Sequence, residues 1–126
     1  MRAVRVEDLP VFHRAKTFLK AVFEVTASFR HDYWLADQLN DSSESIVSNI
    51  SEGFRQPTDR AFARYLGIAA ASAEEARTHL LAAEMRGQVQ QGASLELRRE
   101  TRELADMLAG FIRYLHRCER KNRYQQ

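Results

Sequence analysis

The amino-acid sequence predicts an all-α protein, an antiparallel up-down-up-down four-helix bundle formed by one domain over residues 1–126. Three observations predict it. Four segments carry apolar residues at alternating steps of three and four, the spacing that gathers them on one face of a helix. The 126 residues include only five Gly and two Pro, too few for a turn-rich β fold. The connections between the four segments are short, which makes sequential helices antiparallel neighbours. A chain of this length buries one core and is too short for two domains.

The first helix is expected over 11–29. Phe12, Ala15, Leu19, Val22, Thr26 and Phe29 form its stripe, and Pro10 suits the first turn, where a missing N–H costs nothing. The second is expected over 33–53, with Gly53 as the residue just past its end. The third covers 59–86. Thr58 or Asp59 is a credible N-cap, and Gly87 ends it. The fourth covers 95–118 and buries Leu97, Leu104, Met107, Leu108, Phe111, Ile112 and Leu115, leaving 121–126 as a frayed tail.

At 100° per residue, Leu35, Leu39, Ser43, Ile46, Ile50 and Phe54 share one stripe of the second helix. A second stripe carries Gln38, Ser42, Ser45, Asn49 and Glu52, and Asp37, Asp41, Glu44 and Ser48 point to water. Five serines between Ser42 and Ser51 weaken intrinsic helicity, so packing must support this helix. The third helix is slim, with Gly67 among many alanines. A mid-helix glycine costs about 1 kcal/mol, for which a close helix crossing is the simplest compensation. Gln38, Ser45, Asn49, Glu52, Arg64, Ser72 and Glu75 therefore make a polar cluster or a subunit interface across helices two and three. The surplus of small residues on these helices points to a homo-oligomer. Tyr33 and Trp34 read as an interface anchor or a lid on the core.

Composition excludes several classes. The single cysteine, Cys118, rules out an internal disulfide and favours a reducing compartment. No apolar stretch is long enough to span a membrane, and Met1–Arg5 has no signal core, so a cytoplasmic location is expected. His13, His31, His79 and His116 lie in separate segments without metal-ligand spacing, and no glycine-rich phosphate loop or activated serine occurs. No catalytic residue, metal or cofactor is expected, and no enzyme.

Charge is more informative than its net value of +2. No Lys or Arg occurs between Asp32 and Glu52, which holds five carboxylates. Arg113, Arg117, Arg120, Lys121 and Arg123 face only Glu119, and the spacing of the first three places them on one helical face. They form a candidate nucleic-acid surface, with Tyr114 and Tyr124 available to stack on bases. The plainer reading is a solvated helix end whose cations complement the helix dipole.

One longer frame carries a resemblance. Leu35, Gln38 and Leu39 are followed by Ser45-Ile46-Val47-Ser48-Asn49-Ile50-Ser51-Glu52-Gly53, then by Phe62, Arg64, Leu66, Ala69, Ser72, Glu75, Thr78 and Leu80. This resembles the four-helix-bundle family named for reading frames in intervening sequences of 23S rRNA genes. That family is related in fold to the accessory protein of diversity-generating retroelements. The resemblance implies a homopentameric ring, no enzymatic reaction, and RNA or DNA in association with a ribonucleoprotein. The sequence departs from the family pattern at Asn40-Asp41-Ser42, where arginines are usual, at Val47 in place of proline, and at Ala71 in place of glycine. Two readings follow: an oligomeric adaptor that binds nucleic acid through clustered arginines, or a protein-interaction scaffold with no nucleic-acid contact.

Overall fold

A computed structural model describes the backbone of residues 5–125 and the side chains of residues 5–121. After a short 3₁₀ turn at Val6–Asp8, four helices follow: α1 (Pro10–Thr26), α2 (Tyr33–Phe54), α3 (Asp59–Met85) and α4 (Gln91–Gln125). Each helix packs against two others. α3 lies between α2 and α4, and α1 closes the ring against α2 and α4, with no close backbone approach across either diagonal among the described residues. This is the expected antiparallel four-helix bundle.

The core follows the apolar stripes. Leu35, Leu39, Ile46 and Ile50 of α2 are fully buried, as are Leu66, Leu80, Leu104 and Leu108. Alanines fill the α3 side: Ala69, Ala73, Ala76 and Ala83 have no exposed surface, and their small size lets α2 and α4 approach. Pro10 occupies the first turn of α1. The Thr58 hydroxyl accepts from the Ala61 N–H at 3.1 Å and caps α3. Gly87 has a φ of +73°. The Gly87 and Gln88 amides close back on the carbonyls of Glu84 and Ala83, the two hydrogen bonds that terminate a helix through a left-handed residue.

Four features differ from expectation. α1 stops at Thr26 rather than 29. The Thr26 hydroxyl donates to Asn40 Oδ1 at 2.8 Å, the Ser28 hydroxyl takes the Val25 carbonyl, and the chain turns so that Phe29 still enters the core. α4 is longer at both ends than 95–118, and its backbone is helical through Gln125, within the stretch expected as a tail. Gly53 lies inside α2, buried against α3, and is not the residue past the helix end. Tyr33 and Trp34 are 69% and 62% exposed, so they do not cover the core.

Ser43 is the one polar defect among the described residues. It is completely buried on the core stripe, and its Oγ has no hydrogen-bond partner. An unmade hydrogen bond at a buried hydroxyl carries a desolvation penalty. Ser43→Ala is therefore expected to stabilise the protein by about 1 kcal/mol, which urea unfolding would register as a higher midpoint with an unchanged slope.

Candidate functional site

The ends of α2 and α4 and the start of α3 meet at one pole. Phe62 of α3 stacks edge-on against Phe54 of α2 at 6.1 Å and against Phe111 of α4 at 5.1 Å. This aromatic column fixes where α4 leaves the bundle. With 35 residues against the 27 of α3, α4 overhangs its neighbour at this pole.

Arg113, Arg117, Arg120 and Lys121 are exposed along the last turns of α4, Arg113 level with the start of α3, and form no ion pair with any described residue. The Arg113 guanidinium folds toward Gly110, where a β-carbon would lie 3.7 Å from it. Arg60 at the start of α3 joins this set: with His116, Glu119 and Arg120 it lines one surface depression. Arg60 and Arg64 are likewise exposed and unpaired among the described residues. The side chains of Arg123 and Tyr124 lie outside the described residues. By contrast, most other arginines are neutralised. Arg14 bonds Glu100 at 3.0 Å and also Glu103, and these two hydrogen bonds raise its pKa further. Arg86 pairs with Asp32 at 3.1 Å and Arg98 with Glu84 at 3.0 Å.

Tyr114 is not a free stacking platform. It is half-buried and packs on Phe111 at 6.3 Å. Its phenol is pushed above the usual range, first by a hydrogen bond with the Cys118 thiol and then by the charge of that group.

The structure brings together part of the expected polar cluster. Ser45 Oγ and Ser72 Oγ lie 2.7 Å apart across the α2–α3 contact, and Asn49 Nδ2 donates to Ser45 Oγ at 3.0 Å and to the Ser45 carbonyl at 2.8 Å. The other members stand apart. Glu52 faces Arg55 at 4.0 Å, Glu75 faces His79 at 3.4 Å, Arg64 points to solvent, and Gln38 is half-buried two turns before Ser45. Three short polar side chains thus bridge two helices, an arrangement that fixes register.

Gly67 is exposed, with no atom within 4 Å of where its β-carbon would lie, so the close crossing expected there does not occur within the subunit. Trp34, Ile68 and Met85, on the same two helices, are 62%, 45% and 80% exposed. Asp37, Asp41 and Glu44 are exposed along α2 without ion-pair partners among the described residues. The acids of α2 lie on a different helix from the basic end of α4.

A second group of arginines was not anticipated from the sequence. Arg77 of α3 lines a depression with Leu95, Arg98, Arg99 and Arg102 of α4. Its sequence signal is the 95, 98, 99, 102 spacing, which is one face of a helix. Among the described residues no three His, Cys, Asp or Glu side chains group as metal ligands, and no helix is long and apolar enough to cross a membrane.

Comparison with known proteins bears on the fold. A protein of unknown function from the S23 ribosomal protein family of Bacteroides thetaiotaomicron superposes with a TM-score of 0.75 at 18% identity. The match covers 81% of this chain and 97% of that one. No curated protein matches. The family described as 23S rRNA-intervening sequence protein matches residues 7–110, which takes in α1, α2, α3 and most of α4 and leaves the basic end of α4 outside. The chain belongs to the 23S rRNA-intervening sequence protein family.

Proposed function

We propose that this protein is a non-enzymatic, cytoplasmic, oligomeric adaptor that holds nucleic acid through the basic pole. The observation that carries the reading is that Arg60, Arg113, Arg117, Arg120 and Lys121 have no ion-pair partner among the described residues, in a molecule that pairs most of its other described arginines. Unpaired guanidinium groups at a protruding helix end are free to neutralise phosphates, and releasing the condensed counterions drives such binding. The name of the matching family, which concerns an rRNA-borne reading frame, agrees with RNA as the polyanion. Labelled RNA and DNA should both shift at low salt with little base preference. Absence of any shift would favour the protein scaffold, in which the acidic face of α2 and the basic pole dock protein partners.

Self-association is the second half of the reading. Gly67 lacks a neighbour that would explain a glycine inside α3, and Trp34, Ile68 and Met85 expose apolar surface on α2 and α3. A second copy seated there supplies the missing close crossing, and a pentamer is the closed assembly in keeping with the family resemblance. Repeating the basic pole around a ring raises the effective concentration of binding sites. Ile68→Asp combined with Met85→Asp is expected to give a monomer by light scattering with an unchanged helical signal, because both side chains are exposed in the subunit. A monomeric wild type at micromolar concentration would defeat this half.

A further inference from the structure

We propose that the nucleic-acid interface is a track along the α3–α4 seam, with a second phosphate-holding depression at its far end formed by Arg77, Arg98, Arg99 and Arg102. The inference rests on the nucleic-acid reading above and extends its reach. Its basis is a register in α4. Leu95, Arg98, Arg99 and Arg102 recur eighteen positions later as Arg113, His116, Arg117 and Arg120. Eighteen residues are five full helical turns, so the two sets share one face of α4 and stand about 27 Å apart along its axis. The first set lines one depression with Arg77 of α3, and His116 and Arg120 of the second line another with Arg60 of α3 and Glu119. Both depressions therefore lie on the same seam.

The surface between them is low. Ala105, Ala109 and Gly110 are partly buried there, and Asp106 is the exposed carboxylate. Charge makes the far depression the weaker of the two. Arg77 pairs with Glu74 at 3.3 Å, Arg98 with Glu84 at 3.0 Å, and Arg99 with Glu96 at 3.0 Å, while Arg102 has no partner among the described residues. A guanidinium offers five N–H donors; one nitrogen of Arg77 and of Arg99 is occupied and two of Arg98, whose Nε also donates to Ser94 Oγ at 3.1 Å, so donors remain for a phosphate. The Arg99 pair is well exposed, and such pairs contribute little and yield to a competing anion. The far depression thus adds reach to a site anchored at the basic pole. A duplex advances 3.4 Å per base pair, so about eight base pairs are needed to touch both ends.

Fluorescence anisotropy on the full chain tests this with duplex DNA of about 6 and about 18 base pairs, too short and long enough to bridge. Wild type is expected to bind the longer duplex beyond the gain from its extra registers. Arg99→Glu with Arg102→Glu should weaken binding of the longer duplex about tenfold and lower its salt slope by about 2, with the shorter duplex unaffected. Arg102→Gln, which introduces no carboxylate, should lower the slope by about 1. If the double variant binds the longer duplex with wild-type affinity and slope, the track is wrong and the polar site stands alone. If wild type binds neither duplex, the track falls together with the nucleic-acid reading.

Discussion

Replacing Gly53 with alanine is expected to destabilise the protein by about 2 kcal/mol. A β-carbon at this position would lie 2.8 Å from the Tyr65 β-carbon, 2.9 Å from Phe62 Cδ1 and 3.2 Å from the Phe62 carbonyl oxygen. Two of these atoms belong to the backbone or its first branch and cannot rotate away, so α3 must move. Moving α3 also disturbs the Phe54–Phe62–Phe111 column that seats α4. Alanine gains about 1 kcal/mol in helix propensity, which offsets only part of the clash. The melting temperature should fall by roughly 8 °C. An unchanged or higher midpoint would mean that α2 and α3 do not pack this closely. Gly67→Ala provides the internal contrast: with open space around it, the same change lacks the clash and should retain the propensity gain within the subunit.

Charge reversal at the basic pole is expected to remove nucleic-acid binding without unfolding the protein. Arg113, Arg117 and Arg120 are exposed and hold no ion pair with described residues, so Arg113→Glu, Arg117→Glu and Arg120→Glu together break no internal contact of consequence. Carboxylates near the end of α4 interact unfavourably with the helix dipole, a cost of about 0.3–1 kcal/mol each that fades with salt and with distance from the last turn. The interface loses three cations and gains three anions, so a site of this size has little left with which to attract phosphates. Retained affinity in a variant with a normal far-UV spectrum would move the site away from α4.

Helix existence and type, and most of the buried stripes of α2 and α4, were legible because they depend on spacing along one segment; Phe54, Met107, Phe111 and Ile112 are only partly buried. The end of α1 was not, because it is set by hydroxyl groups of Thr26 and Ser28 that turn the chain while Phe29 stays inside. Glycine was legible only as a peculiarity. Gly53 read as a helix end and Gly67 as a close crossing, yet Gly53 is pressed against α3 and Gly67 faces open space. The basic end of α4 was readable as an exposed arginine face. That Arg60 joins it across 56 positions, or that Arg77 joins Arg98, is a consequence of helix pairing and leaves no local trace. The polar cluster was half legible: Ser45, Asn49 and Ser72 meet, whereas the longer Glu52, Arg64 and Glu75 reach outward to nearer partners or to water.

The central claim is that unpaired arginines make this bundle a phosphate-binding protein. A salt titration of RNA and DNA binding, run on wild type and on the triple arginine-to-glutamate protein, tests it most directly. The account predicts a straight fall of log affinity with log salt for wild type. Each phosphate neutralised adds about −0.9 to the slope on duplex DNA or about −0.7 on a single strand, and the triple variant should show no binding to titrate. A wild type that shifts neither nucleic acid at low salt, or that binds with a slope unchanged by the triple substitution, would contradict it.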